Sequence, residues 1–319
     1  MRQLTPTLES CISKLRAERS KLKNALLAHN TQRGYRYDWL VFTRWTNTVN
    51  LAPLPATAET VSLYATALLS AGRKVSTTAR RLAVIGFMHR AIGIPSPVTE
   101  EVRELLRGAR RSRQETVRQV EALSLDALRS ISRVLERDRR PIAIRNRAIL
   151  LLGWASALRS ANLAALQVSD IRFDARGLVL TIRREKQNQE GEPRLIGVPY
   201  GRNRDTCPVR SLKQWLQERG DGPGAVFTNL GGGMGAKLRP IQPERYCQIV
   251  QQCVAKIGLD PKKFGSHSLR SGFITEAGER DIGELRIASH SGHRDMATLR
   301  RYFRPRDVWR ANACAALGL

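Results

Sequence analysis

The chain of 319 residues is 42% apolar and carries 54 Lys and Arg against 28 Asp and Glu, which gives a formal net charge of +26. This length suits two domains with apolar cores, and the positive charge favours a polyanionic partner, above all nucleic acid, because phosphate contacts release counterions. Five scattered Cys argue against a disulfide framework, and no apolar run approaches the roughly 20 residues that span a bilayer.

The N-terminal segment MRQLTPTLESC lacks the apolar core of a secretion signal. An odd number of irregularly spaced cysteines indicates a reducing compartment. Both features predict an intracellular, cytoplasmic protein without a membrane segment. The charge by itself leaves a solvated basic surface or an anionic membrane surface open as alternatives to nucleic acid.

Helical patterns dominate the first third of the chain. The first, TQRGYRYDWLVFTRWTNTV, has Thr31 as a possible N-cap. Its aromatic residues share one helical face, namely Tyr35, Trp39, Phe42 and Trp45. The second, TAETVSLYATALLSAG, begins at the possible cap Thr57 and ends at Gly72. With two further patterns, STTARRLAVIGFMHRAIG and TEEVRELLRGARR, four helices predict a small helical domain.

The third helical pattern has a polar face near its N-terminus. Leu82, Ile85 and Met88 point inward, which leaves four residues predicted to face outward: Ser76, Thr77, Arg80 and Arg81. Such a helix can enter a major groove, where Arg reads guanine and hydroxyl groups meet phosphates. The alternative is a plain solvated face.

The next segment, RRSRQETVRQVEAL, is charged and almost free of apolar periodicity, so it either crosses a polyanion or is simply solvated. We therefore predict a helical domain over residues 1–108, a linker over 109–122 and a second domain over 123–319. The second domain begins with the capped helix SLDALRSISRVLE and continues with the apolar helical stretch RNRAILLLGWASALRSANLAAL. LVLTI and RLIGVP predict two strands around a polar turn, and three more helices follow. The predicted fold class is mainly α with a small β-sheet.

Two arginines of the second domain lie in apolar surroundings. Arg159 stands in SALRSANL and Arg270 in HSLRSGF, and a buried Arg needs an anion. An internal salt bridge would satisfy either residue. An external phosphate would also do so, because the guanidinium fork matches phosphate geometry. Position 162, one turn after Arg159, holds Asn rather than an acid.

The sequence gives little support to metal or nucleotide chemistry. His290 and His293 with Cys247 and Cys253 form a C-x5-C and H-x2-H arrangement, which lies outside the usual zinc-finger spacings. Clustered carboxylates and a glycine-rich phosphate loop are also missing from the sequence. We therefore expect no metal and no other cofactor.

His, Arg and Tyr concentrate in the last fifth of the chain, in SHSLRSGF and SGHRDMATLRRYF. His267 and Arg270 are neighbours on one helical face, because residues i and i+3 lie together. A lone histidine is more often structural than catalytic. A tyrosine hydroxyl, however, can attack a phosphodiester if cations stabilise the phosphorane and an acid protonates the leaving oxygen.

The ordered motifs ALRSANL, EKQNQEG, HSLR and SGH, with a Tyr nine residues after that His, resemble the tyrosine recombinases, the phage-integrase family. The resemblance extends from about residue 28 to residue 305 and includes that family's core-binding domain in the first segment. It implies a two-domain clamp on duplex DNA and strand exchange through a covalent 3′-phosphotyrosine, without metal or ATP. It also implies a homotetramer around two duplexes and a role in DNA integration or recombination of a mobile element.

The resemblance implies roles for six side chains. Two arginines clamp the non-bridging phosphate oxygens, a lysine in the turn between the strands protonates the 5′-oxygen, and one histidine is a general acid and base. A second histidine hydrogen-bonds the phosphate, and a tyrosine is the nucleophile. In that order, they are Arg159 and Arg270, Lys186, His267, His293 and Tyr302.

Two departures from the family pattern affect the surroundings of these residues. Asn162 stands where the family usually has Glu, and SGH replaces the usual LGH. A topoisomerase with the same chemistry and a DNA-binding protein without activity remain as rival hypotheses. The tail RDVWRANACAALGL is predicted either to pack on its own domain or, as the resemblance implies, to dock into a neighbouring protomer.

Overall fold

The computed structural model describes residues 29–113, 120–183, 193–220, 222–230 and 239–302. The chain divides into two units, Met1–Arg118 and Gln119–Leu319. Lys186 and the tail after Tyr302 lie outside the described residues. The predicted class, mainly α with a small sheet, is confirmed.

Four helices make up the described part of the first unit. They are α1 (His29–Thr48), α2 (Ala58–Ser70), α3 (Val75–Ala91) and α4 (Glu100–Arg113). Thr57 caps α2 as predicted, since its hydroxyl accepts a hydrogen bond from the Thr60 amide at 3.1 Å. Gly72 follows α2 with φ of 73°, a left-handed conformation that Gly adopts without strain.

Aromatic side chains of α1 build the core of this unit. Phe42 is fully buried, and its ring meets that of Tyr64 from α2 edge-on at 5.0 Å. Trp39 and Trp45 pack against the same cluster. The predicted aromatic face is therefore the buried face of α1.

Two boundary predictions in this unit differ from the structure. Thr31 is not an N-cap, because α1 already includes His29. Residues 109–113, predicted as the start of the linker, continue α4. Arg113 ends this helix with its guanidinium donating to the main-chain oxygens of Leu69 and Arg73, and these contacts extend the helix beyond the last apolar residue of the pattern.

The second unit is built around helix α6. Its helices are α5 (Leu125–Arg137), α6 (Pro141–Ala155), α7 (Ser160–Ala165), α8 (Pro208–Arg219), α9 (Pro243–Ala255), α10 (His267–Glu279), α11 (Glu284–Ser291) and α12 (Met296–Arg300). The buried residues of α6, among them Ile149 and Leu152, lie on all sides of the helix. This is expected of a helix at the centre of a unit.

The apolar stretch predicted as one long helix is divided into α6 and α7. Between the two helices, Ala157 takes a positive φ of 51°, and the hydroxyl of Ser156 donates to the Leu152 oxygen at 2.6 Å. This turn places Arg159 directly before the first residue of α7.

The sheet has three antiparallel strands in the order β1 (Ile171–Asp174), β2 (Gly177–Ile182) and β3 (Arg194–Pro199). The predicted pair β2 and β3 is confirmed, with Leu180 opposite Ile196. Strand β1 was not predicted from the sequence, because four residues are too short to show an alternating pattern.

Close packing under α10 depends on Gly272. A Cβ atom at this position would lie 2.0 Å from the Leu123 oxygen, so any side chain would push α10 away. The indole nitrogen of Trp154 donates to the same oxygen at 3.0 Å. Helix α10 is thereby held against α6 and the segment before α5. In the part of the chain that the structure describes, no helix has the length and apolar character needed to cross a membrane.

Candidate active site

Helix α10 presents the first two functional side chains. His267 is its first residue and Arg270 lies one turn further on. The prediction that the two residues are neighbours on one helical face is confirmed. Because Gly272 has no side chain, α10 lies close to the main chain of Leu123. Arg270 is therefore in the interior of the unit, where it is 1% exposed.

Arg270 joins two turns that come from distant parts of the unit. Its Nη1 donates to the main-chain oxygens of Ala157 and Ser291, both at 2.6 Å. Its Nη2 lies 3.0 Å from Nε2 and 3.2 Å from Nδ1 of His293. The first turn precedes Arg159 and the second precedes His293, so Arg270 brings these side chains together.

Arg159 adds a second guanidinium to this pocket. Its Nη1 is buried and has no hydrogen-bond partner among the residues described. A buried charged N–H without an acceptor is costly. The geometry therefore favours an external anion over the internal salt bridge that the sequence had left open.

The charge of Arg159 acts on the ionisation of Arg270. Burial, followed by the charge of Arg159, lowers the pKa of Arg270 to about 10, while Tyr302 opposes this shift. An anion placed between the guanidinium groups would relieve both desolvation and like-charge repulsion. The charge of the pocket is thus suited to bind a phosphate group.

Tyr302 lies next to His267. The hydroxyl of Tyr302 is 2.7 Å from Nε2 of His267. Burial first, and then the charges of Arg270 and Arg159, lower the pKa of His267. A neutral imidazole at this distance can accept the phenol proton.

Helix α12 holds the tyrosine in place. The carboxylate of Asp295 caps this helix by accepting from the amides of Ala297 at 3.1 Å and Thr298 at 3.0 Å. Leu299 is buried beneath it, and Tyr302 packs against the same small apolar cluster as Ile274. The short capped helix α12 packs on this apolar cluster and therefore places the Tyr302 hydroxyl in the pocket.

His293 completes the group from the turn after α11. Gly292 precedes it with a left-handed φ of 70°, which turns the chain back toward Arg270. Burial, followed by the charges of Arg270 and Arg159, lowers the pKa of His293 to about 4. His293 is consequently neutral at physiological pH.

Five of the six residues predicted for catalysis thus lie together: Arg159, His267, Arg270, His293 and Tyr302. The sixth, Lys186, falls outside the described residues, in the stretch that connects β2 to β3. Asn162 lies within α7, one turn after Arg159.

Arg194 is a member of this group that sequence reasoning missed. It begins β3, and its Nη1 donates to the His290 oxygen at 2.8 Å. Its charge contributes to the lowered pKa values of His293 and Arg270. The available signal was an arginine at the junction between the polar turn and the apolar strand RLIGVP.

The zinc arrangement considered for His290 is not formed. Its Nε2 donates to the Ala155 oxygen at 2.8 Å, and its ring stacks on Phe273 at 4.7 Å. Burial raises the pKa of the Cys253 thiol to about 12, which disfavours a thiolate ligand. Within the described ranges, no group of three or more His, Cys, Asp or Glu side chains could hold a metal.

The predicted outward face of α3 is only partly correct. Ser76 is exposed and Thr77 is half-buried, and the Arg80 side chain is 51% exposed while it pairs with Asp38. Arg81 is buried, so the orientation predicted for it is wrong. The physical reason is that Asp38 of α1 is itself buried and attracts both arginines, with Arg81 Nε at 3.6 Å from its carboxylate.

Comparisons with known proteins identify the family of the chain. The family model described as "Phage integrase family" matches residues 121–308. An "Integrase/recombinase xerD homolog" of Selenomonas ruminantium is 28% identical over 94% of this chain and 87% of the relative. A "Tyrosine recombinase XerD" of Mycobacterium tuberculosis (strain ATCC 25618 / H37Rv) is 24% identical over 95% of this chain and 94% of the relative.

Two solved structures have a similar fold. The Tn1549 transposon integrase in complex with transposon right end DNA gives a TM-score of 0.65 at 14% identity, over 96% of this chain and 99% of that one. A lambda integrase dimer bound to a COC′ core site gives 0.61 at 17% identity, over 92% and 95% of the two chains. At such low identities, the likeness shows the fold.

Proposed function

The chain belongs to the phage integrase family, and we propose that it performs site-specific recombination of duplex DNA through a covalent 3′-phosphotyrosine, without a metal ion or ATP. The observation that carries this proposal is the contact of 2.7 Å between the Tyr302 hydroxyl and His267, next to the Arg159 and Arg270 guanidinium groups. A phenol, a base and two cations around one pocket are what attack on a phosphodiester requires.

In the proposed cleavage step, the Tyr302 oxygen forms a bond to the scissile phosphorus while the bond from phosphorus to the 5′-oxygen breaks. The phenol proton passes to His267, and Lys186 supplies a proton to the leaving 5′-oxygen. Arg159 and Arg270 donate hydrogen bonds to the non-bridging oxygens, where charge grows in the phosphorane. Donors placed in this way contribute about 10²–10³ each to the rate of acyl-transfer enzymes, and we expect a similar scale here.

Rejoining follows from the covalent intermediate. The tyrosyl phosphodiester keeps the free energy of the broken bond, so the 5′-hydroxyl of a second strand can attack it without ATP. Exchange between two duplexes needs four active sites, and we propose a homotetramer for this assembly. The mobile-element setting and the cytoplasmic location belong to the same proposal.

In this proposal, the two predicted domains have different roles. Residues 123–319 carry the reaction, and residues 1–108 hold the duplex through the polar start of α3, with residues 109–122 between them. The net charge of +26 supports contact with phosphates along both. Ser76, Thr77 and Arg80 are the proposed DNA contacts, whereas the burial of Arg81 supports an indirect role for it, through Asp38.

The two arginines of α3 are expected to behave differently when each is replaced by Ala. Arg80→Ala removes a half-exposed cation and weakens binding to the native site by about 1–3 kcal/mol if it reads a base, and it also lowers the unfolding free energy, because Arg80 donates two hydrogen bonds to the buried Asp38. Arg81→Ala leaves the buried Asp38 with one partner and lowers the unfolding free energy by about 2 kcal/mol. DNA titrations and thermal melts of both variants measure the two effects.

Random duplex is the control for Arg80. Equal loss on native and random DNA would assign Arg80 to phosphate contact alone. Unchanged binding to both would remove it from the interface.

Lys186 and Arg159 are expected to act on opposite sides of the phosphorus. Lys186→Ala slows cleavage of an ordinary strand by about 10²–10⁴, yet a substrate with a 5′-thiol leaving group restores most of the rate, because a thiolate leaves without protonation. Arg159→Ala is slow on both substrates, since phosphorane charge develops with either. Single-turnover formation of the covalent complex measures all four rates. If the thiol fails to rescue Lys186→Ala, the proposed proton donor is another group.

The experiment that tests the function starts without a known DNA site. The protein is expressed in its host, cells are denatured rapidly, and DNA that remains covalently attached to the protein is purified and sequenced. A recombinase gives one or a few recurring junctions. Dispersed sequences together with relaxation of supercoiled plasmid would indicate a topoisomerase, and the absence of attached DNA would indicate a binding protein without activity.

A further inference from the structure

Ser291 replaces the leucine of the usual family motif and makes two contacts that a leucine cannot make. It is the last residue of α11 and is fully buried. Its hydroxyl oxygen lies 2.6 Å from the Ile287 oxygen and 2.7 Å from Nδ1 of His293. A hydroxyl group has one hydrogen and two lone pairs, so these contacts restrict where the protons lie.

The donors and acceptors around His293 allow one consistent assignment. The carbonyl oxygen of Ile287 can only accept, so the Ser291 hydroxyl donates to it. The same hydroxyl can then only accept from His293, which places a hydrogen on Nδ1. A neutral imidazole carries one N–H, and its Nε2 is therefore left with a lone pair.

The guanidinium of Arg270 agrees with this assignment. A guanidinium only donates, and Nη2 of Arg270 lies 3.0 Å from Nε2 of His293. The same Nη2 lies 3.2 Å from Nδ1, so the Arg270 contact does not by itself choose between the two ring nitrogens. The two contacts of the Ser291 hydroxyl therefore carry the assignment of the Nδ1–H form of His293.

We propose that Ser291 is a positioning residue, which holds His293 as the Nδ1–H tautomer and so leaves the ring lone pair on Nε2 before DNA binds. The hydrogen bond at one ring nitrogen sets the state of the other. Its consequence for the reaction rests on the proposed function: the His293 ring is held in one orientation beside Arg270, whose guanidinium is proposed to contact the phosphate.

The electrostatic surroundings keep His293 in the neutral form that this role requires. Burial first, and then the charges of Arg270, Arg159 and Arg194, lower the pKa of His293, and the nearby His267 ring acts in the same direction. The Tyr302 ring lies 5.6 Å away, centroid to centroid.

Nitrogen NMR on the DNA-free protein labelled with ¹⁵N-histidine tests the assignment directly. The wild-type protein is expected to show His293 Nδ1 in the protonated range and Nε2 in the unprotonated range. In Ser291→Ala, the acceptor for Nδ1–H is lost, and the signals are expected to move toward the Nε2–H tautomer. A wild-type ring protonated at Nε2, or an unchanged spectrum in Ser291→Ala, overturns the proposal.

Ser156 provides a matched control. It is also fully buried at the end of a helix, and its hydroxyl donates to the Leu152 oxygen at 2.6 Å, as that of Ser291 does to Ile287. None of its described contacts reaches a histidine. Ser156→Ala should therefore leave the His293 signals where they are, and a shift of the same size in this variant overturns the specific role of Ser291.

The rate at which the covalent complex forms measures the consequence for the reaction. At saturating DNA, Ser291→Ala is expected to form the covalent complex about tenfold more slowly, a scale typical of groups that orient a functional histidine. Equal rates for Ser291→Ala and wild type overturn the proposed consequence. Because the NMR measurement needs no DNA, a wild-type protein that never forms a covalent complex refutes the function separately from the tautomer.

Discussion

Replacement of Tyr302 by Phe is expected to abolish the covalent protein–DNA complex while leaving DNA affinity close to that of the wild type. The hydroxyl group is the attacking atom, and no other group in the described pocket has a phenolic oxygen within reach of His267. Its removal leaves the cationic contacts to the phosphates in place, and these dominate the affinity. Denaturing gels with a labelled site measure the adduct, and native gels measure binding.

Tyr200→Phe is the matched control for this variant. Tyr200 lies in the same unit, is also half-buried, and its hydroxyl accepts from the Lys213 ammonium at 2.9 Å. Its loss should leave covalent attachment unchanged. A Tyr302→Phe protein that still becomes attached to DNA would assign the nucleophile to another residue, whatever family the chain belongs to.

Arg270 is the position at which substitution should affect both stability and rate most strongly. Arg270→Ala leaves the buried oxygens of Ala157 and Ser291 without a donor, and we expect a loss of about 3 kcal/mol in unfolding free energy. Arg270→Lys keeps a charge but lacks the fork that reaches two oxygens and a ring nitrogen together. We expect this milder variant to remain folded and to cleave at least about a hundredfold more slowly.

A variant of Arg145 serves as the control that separates the effect on stability from the effect on the cleavage rate. It is also buried, and it donates to the Thr228 oxygen at 3.1 Å and to the Asn146 side chain. Arg145→Lys should lower the melting temperature without a matching loss of the rate measured below that temperature. A comparable loss of rate in both lysine variants would mean that Arg270 acts through stability alone.

Local spacing predicted the parts of the site that lie within one turn of chain. His267 and Arg270 are three residues apart on one helix, so their common face followed from helical geometry. The nine-residue interval to Tyr302 entered through resemblance, because no local rule relates a turn, a short helix and a phenol. Strands β2 and β3 were predictable because they are short runs of mainly aliphatic residues that flank a polar turn.

Contacts between distant segments produced the errors and the omission. Arg81 has the composition of a surface residue, and only the buried Asp38 on another helix explains its inward position. Arg194 reaches the His290 oxygen across 96 residues of sequence, so nothing near it signals that contact. The break after α6 likewise depends on Arg270, which binds the Ala157 oxygen from a remote helix.

The bonds of Arg270 also bear on when the protein becomes able to cut DNA. One of them joins residues 113 positions apart, and the contact between His267 and Tyr302 spans a further 35. Such contacts require the segments on both sides of the intervening chain to be in place, because loop closure must be completed before they can form. A chain whose second unit is not folded therefore keeps its tyrosine apart from the arginines, and the catalytic group exists only in the complete tertiary structure of that unit.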